Sequence, residues 1–138
     1  MVKEKILIVE DNDQNMRLIE MTLGTNNHFL LKATDGEQAM AIAVRDKPDL
    51  IIMDIQLPKM NGLEATVRLR QVPDCCYIPI IAVTAYAMKG SKEKAINAGC
   101  NAYLSKPINT RQLRETVAEL LLQHCKGIKS SANGDSDG

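Results

Sequence analysis

The sequence predicts a doubly wound α/β domain, built as (βα)5 from five strand-and-helix units. Short apolar runs alternate five times with longer helical patterns, which implies βαβ crossovers and a parallel sheet with helices on both faces. Three of the runs, Ile6-Leu7-Ile8-Val9, Leu50-Ile51-Ile52-Met53 and Ile80-Ile81-Ala82-Val83, are unbroken, as suits strands covered on both sides. The length, 138 residues, fits one compact domain that folds without a disulfide or metal.

The first strand is expected over Lys5–Glu10, and Glu10-Asp11-Asn12-Asp13 behind it offers caps for a first helix. Gly24 stands where that helix would need a left-handed residue to stop. Phe29–Ala33 is the second strand. Asp35 then reads as an N-cap with Gln38 three residues on, before Ala39, Met40, Ala43 and Val44 at helical spacing. Strands follow at Asp49–Asp54, Ile78–Thr84 and Ala102–Ser105, with Gly99 at a helix end before the last of them. Asn109 is a capping candidate for a final helix whose stripe is Leu113, Val117, Leu120 and Leu121, and Gly127 is a candidate for its C-terminus. After about Cys125 the text becomes KGIKSSANGDSDG and loses its apolar period. Residues 1–125 are therefore expected to form the domain and 126–138 a flexible tail or the stub of a linker.

Composition narrows the function. Lys+Arg and Asp+Glu balance at 17 each, so bulk charge recruits neither nucleic acid nor an anionic membrane. The apolar run Ile6–Val9 is far too short for a signal-peptide core or a membrane span, which points to the cytoplasm. Cys75, Cys76, Cys100 and Cys125 form no Cys-x-x-Cys pair, and His28 and His124 lie far apart in sequence. Free thiols in a reducing compartment are the expectation.

In an open parallel sheet, ligands sit beyond the carboxyl ends of the strands. The first strand delivers Glu10-Asp11 there, the third Asp54, the fourth Thr84, and the fifth Ser105-Lys106-Pro107. Three carboxylates, a hydroxyl and an ammonium thus share one edge. Clustered carboxylates suit a hard divalent cation such as Mg2+, which takes oxygen ligands. Beside it, Asp54 has the chemistry of a nucleophile toward a phosphoryl group. Lys106 would neutralise phosphoryl oxygens and the Thr84 hydroxyl would donate to one of them. The Lys106-Pro107 bond is left open between cis and trans.

VEDN at 9–12, DIQLPKMNG at 54–62, IPIIAVTAYAM at 78–88 and Ser-Lys-Pro at 105–107 resemble the response-regulator receiver domains, over roughly residues 3–125. The wording TA-aromatic-AMKG and AGC-x-AY-x-SKPI is closest to stand-alone receivers of the DivK kind and to receivers of hybrid kinases. The resemblance implies a flavodoxin-like, CheY-like sheet in the order 2-1-3-4-5. It also implies Asp54 as phosphoacceptor, with Thr84 and Lys106 as its catalytic companions. Asp11, Asp54 and the backbone carbonyl of Gln56 would be Mg2+ ligands, Glu10 would act through a water or behind them, and Mn2+ could substitute. Thr84 and Tyr103 match the switch pair. Gln56 and Tyr86 flank the acceptor and are expected to tune how long the phosphate lasts.

The same resemblance implies a signalling protein rather than a turnover enzyme. Its partners would be a histidine kinase or histidine phosphotransfer protein and a downstream protein effector, reached through the surface of the fourth helix, fifth strand and fifth helix. It would act as a monomer or a weak phosphorylation-linked dimer, with no direct role for nucleic acid or membrane. Two other classes compete. A haloacid-dehalogenase-type phosphatase needs a second Asp two residues after the nucleophile, where Gln56 stands. A flavin domain needs a Ser/Thr/Gly-rich phosphate loop after the first strand and aromatics to stack, and aromatics are only 3%. Lys89, Lys92 and Lys94 read as a solvated face of the fourth helix, and Met16, Met21, Met40 and Met88 as packing residues.

Overall fold

A computed structural model describes residues 4–24, 28–57, 60–85 and 89–133, with side chains as far as Gln123. Strands β1 (Glu4–Val9), β2 (His28–Ala33), β3 (Leu50–Asp54), β4 (Ile80–Thr84) and β5 (Ala102–Ser105) alternate with five helices. These are α1 (Asp13–Leu23), α2 (Gly36–Asp46), α3 (Gly62–Arg70), α4 (Ser91–Ala98) and α5 (Thr110–Asn133). All strand pairs are parallel and the order is β2-β1-β3-β4-β5, the doubly wound arrangement expected.

Side chains alternate across each strand, so each unbroken apolar run feeds two cores. Leu7, Val9, Ile51, Met53, Ile80 and Ala82 pack against α2, α3 and α4 through Ala39, Ala43, Ala65, Leu69 and Ala95. Ile6, Ile8, Leu50, Ile52, Ile81 and Val83 pack against α1 through Met16, Ile19 and Leu23, and against α5 through Leu113, Val117, Leu120 and Leu121. Each large side chain hidden in this way contributes about 1.5–3 kcal/mol. Small residues dominate the helix side of the first core, which brings those helices close to the sheet.

The caps follow local chemistry. Of the polar string after β1 it is Asn12 that caps α1, accepting from Asn15 N–H at 2.9 Å. That leaves Glu10 and Asp11 for other work. Asp35 accepts from Gln38 N–H at 2.8 Å, and the Gln38 side chain accepts from Thr34 N–H rather than from the cap residue. Asn109 accepts from Gln112 N–H at 2.9 Å at the start of α5. Gly24 and Gly99 do end helices at positive φ, 71° and 118°.

Other expectations differ from the structure. Gly127 lies inside α5, and helical backbone runs on through Asn133 past the boundary drawn at Cys125. Extending a helix that already exists needs no new nucleus, so residues without an apolar stripe can continue it. Residues 134–138 lie outside the described residues. Met21 is 75% exposed, because it falls on the outer face of α1, whereas Met16 is buried and Met40 packs on the first core. Met88 lies outside the described residues. Cys75, Cys76 and Cys100 are free thiols.

At the N-terminal edge of the sheet, Arg70 at the end of α3 ties three segments together. Its guanidinium donates to the carbonyls of Gly99 (2.7 Å), Ile78 (2.7 Å) and Cys76 (3.1 Å) and to Asn101 Oδ1 (2.9 Å). Asn101 Oδ1 in turn accepts from Ile80 N–H at 2.9 Å, which starts β4.

Candidate acidic phosphoacceptor site

The site is made by register. Val9 pairs with Met53, Asp54 with Val83 and Thr84 with Ser105, so the residues that end β1, β3, β4 and β5 arrive side by side. Glu10 is held there by donating its backbone N–H to Ala33 O at 3.0 Å. Lys106 is held by donating its backbone N–H to Thr84 O at 2.8 Å, and the Lys106-Pro107 bond is cis.

Asp54 is 3% exposed and Glu10 2%. Both would be costly to bury as bare charges, and Lys106 supplies the counter-charge. Its Nζ lies 2.9 Å from Asp54 Oδ2 and 2.9 Å from Glu10 Oε1. The other oxygen of Asp54, Oδ1, accepts from Gln56 N–H at 2.9 Å, and Glu10 Oε2 accepts from Asn12 N–H at 3.2 Å. Burial pushes the Glu10 carboxyl above its usual range and the Asp54 charge adds to that, against the pull of the Lys106 ammonium. Burial would lower Lys106, but its hydrogen bonds to Asp54 and Glu10 prevail and hold it above the ordinary lysine value. Lys106 therefore stays a cation.

Asp11 is exposed, yet carboxylate oxygens of Glu10, Asp11 and Asp54 all lie within 4.8 Å of one another. Three acids against one ammonium leave a local excess of negative charge, and the donors are all hard oxygens. That set fits a divalent cation such as Mg2+ and suits no soft metal.

Thr84 is 1% exposed and donates its hydroxyl to the Gln56 side-chain oxygen at 3.3 Å. Tyr103 is half-buried on β5 against the first core, and its hydroxyl is shielded from solvent with no hydrogen-bond partner among the described residues. Tyr86 lies outside the described residues. Lys92 and Lys94 are exposed on α4 with Glu93 between them, as a solvated face should be, whereas Lys89, also exposed, lies in the turn before the helix rather than on it.

The structure thus brings together Glu10, Asp11, Asp54, Thr84 and Lys106, all singled out from sequence. Two contacts had no sequence signal. Lys106 bridges Glu10 as well as Asp54, and the Gln56 side chain holds Thr84. Both join loops that only the sheet register makes neighbours. Around the site the surface is open: Ile55, Leu57, Leu63 and Val67 line a groove of about 670 Å³ beside Gln56, and a second depression of about 390 Å³ runs from Glu10 to Lys32.

Residues 6–118 match the family described as response regulator receiver domain. The chain is 42% identical over 118 residues to the polar-differentiation response regulator DivK of Brucella anthropi, covering 86% of this chain and 96% of that protein. Among solved structures it is similar to the receiver domain of the sensor histidine kinase PA1611 from Pseudomonas aeruginosa, which has a magnesium ion coordinated in its active-site cleft. That match has a TM-score of 0.80 and 36% identity, over 87% of this chain and 98% of that one. A CheY-like response regulator receiver domain protein from Methanospirillum hungatei matches with a TM-score of 0.84 at 28% identity, over 91% and 99% of the two chains.

Proposed function

The chain belongs to the response regulator receiver domain family of two-component signalling, and we propose that it accepts a phosphoryl group on Asp54 from a phosphohistidine. The observation that carries this reading is the buried Asp54 carboxylate held 2.9 Å from Lys106 Nζ beside the Glu10–Asp11 acid pair.

In the transfer an Asp54 carboxylate oxygen forms a bond to phosphorus as the phosphorus–nitrogen bond to imidazole breaks, and the donor histidine leaves as neutral imidazole once protonated. Asp11, Asp54 and the Gln56 carbonyl would hold Mg2+, or Mn2+ in its place, with Glu10 acting through a water. When bound, the ion offsets charge on the transferring phosphoryl group. Lys106 moves its hydrogen bond from Asp54 to a phosphoryl oxygen, a charge-assisted contact. Thr84 exchanges the Gln56 side chain for another phosphoryl oxygen, and Tyr103 repacks as it does so. The resulting shape change along α4, β5 and α5 biases an existing equilibrium, read by a protein effector in the cytoplasm.

The open rim suits a macromolecular donor, a histidine kinase or histidine phosphotransfer protein, better than a small metabolite. The chain acts as a monomer or a weak phosphorylation-linked dimer. It assists only its own phosphorylation and dephosphorylation, with Gln56 and Tyr86 setting the lifetime. Gln56 has no acid–base function, so a phosphatase cycle lacks its second acid.

The test is intact mass spectrometry after incubation with Mg2+ and acetyl phosphate. One phosphoryl mass is expected, absent in Asp54→Asn and in EDTA. An adduct that survives Asp54→Asn overturns the assignment.

A further inference from the structure

The turn joining β2 to α2 touches both halves of the acidic site. On one side Ala33, the last residue of β2, accepts the Glu10 N–H at 3.0 Å and so sets where β1 delivers its acid pair. On the other side Gly36, the first residue of α2, is buried against the loop between β3 and α3. A Cβ built on Gly36 would stand 2.1 Å from the Met60 carbonyl oxygen and 2.7 Å from Met60 Cβ. Gly36 does not have a positive φ, so conformational freedom is not what a side chain would disturb there. Close approach of two backbones is.

Met60 belongs to a loop tied at both ends. Ile55 N–H donates to Val83 O at 2.9 Å, and Gly62 N–H closes the loop on Ile55 O at 2.8 Å. Gly62 is itself pressed on Asp54, where a built Cβ would come within 2.3 Å of the Asp54 carbonyl oxygen. Gln56 sits inside this closed loop with its N–H on Asp54 Oδ1. A push at Met60 passes along Asn61 to Gly62, and from Gly62 to the Asp54 carbonyl and to Ile55, the residue before Gln56.

The geometry points to Gly36 as a positioning residue for the cation site: its missing side chain sets the distance between the Glu10–Asp11 pair and the Asp54–Gln56 loop. Gly36 touches no ligand and acts through Met60. The inference rests on the reading of the site as a Mg2+ site. Sub-ångström changes in supporting contacts are enough to weaken a cation that demands near-ideal geometry.

The experiment is titration of the full chain with Mg2+ alone, followed by backbone amide NMR shifts, which report folding and affinity together. Gly36→Ala is expected to keep the fold and to weaken Mg2+ binding about tenfold. Ala39→Gly, three residues on in the same helix, removes an atom instead of adding one. It is expected to lower thermal stability while leaving the Mg2+ affinity at the parent value. Parent-like affinity in Gly36→Ala overturns the inference, and so does equal weakening in Ala39→Gly, which would make the effect one of stability. Should Gly36→Ala not fold, Met60→Gly decides, because it removes the Cβ that rests on Gly36. Weaker Mg2+ binding is then expected, and an unchanged affinity overturns the inference. A parent chain that does not bind Mg2+ at all removes the site reading first and this inference with it.

Discussion

Lys106 Nζ lies 2.9 Å from Asp54 Oδ2 although their strands are not neighbours: β4 runs between β3 and β5. The lysine reaches across β4 and also meets Glu10, the residue after β1, the strand beyond β3. One cation thus neutralises acids from two other strands, and its loss strands both.

Lys106→Met is expected to destabilise the metal-free chain by about 3 kcal/mol, because it leaves buried carboxylates without a counter-charge. Saturating Mg2+ should return part of that loss. Urea unfolding with and without the ion measures both effects, and an unchanged midpoint would show that the ion pair contributes nothing net.

On the proposed reading of the site, Mg2+ binds the folded chain and not the unfolded one, so the ion should stabilise it. At about a hundred times its Kd the gain is about 2.7 kcal/mol. Asp11→Asn removes one of the three acids and should abolish most of the gain while leaving the metal-free stability within about 1 kcal/mol, since Asp11 is exposed. Thermal melts across a Mg2+ series follow this directly.

Burial raises the thiols of Cys75 and Cys100 above their ordinary value of 9.0. The folded state therefore holds these protons more tightly than the unfolded state. The stability tied to them is fully present below pH 9 and declines as the pH rises through the folded values. At pH 8, in a Cys125→Ser background, exposed Cys76 should react with a thiol reagent in seconds to minutes, with Cys75 and Cys100 reacting only on unfolding. Equal rates for all three would contradict the burial seen.

Arg70 satisfies three carbonyls from two segments with a planar fork of donors, which an ammonium cannot span. Arg70→Lys should cost about 2–3 kcal/mol of stability by leaving acceptors unpaired. Phosphate uptake on Asp54 should persist, because Arg70 lies at the opposite edge of the sheet. Denaturant titration paired with the acetyl phosphate assay separates the two.

The shielded Tyr103 hydroxyl has no partner among the described residues, an arrangement that costs free energy. Tyr103→Phe should be neutral or stabilising by up to about 1 kcal/mol before phosphorylation. A loss of stability would mean that the hydroxyl is paired in solution.

Much of the fold was legible in the residues. Ile6–Val9 and Leu50–Met53 announce buried strands because both of their faces must be covered. Asp35 and Asn109 announce helix starts because a short polar side chain can pair orphan N–H groups within three residues. The C-terminal end of α5 was not legible, since propagation of an existing helix leaves no apolar signature at Gly127. Lys47, a non-glycine residue at φ 48° after α2, likewise carries no local mark.

By itself the sequence determined the strand ends that carry chemistry, placing Glu10, Asp11, Asp54, Thr84 and Lys106 on one edge through βα alternation alone. Only the tertiary structure decided which of them touch. The bridge from Lys106 to Glu10 and Asp54, the hold of Gln56 on Thr84, and the fit of Gly36 on Met60 join residues tens of positions apart. Those contacts depend on strand order and register, which are settled by packing on both faces of the sheet rather than by any local preference of the chain.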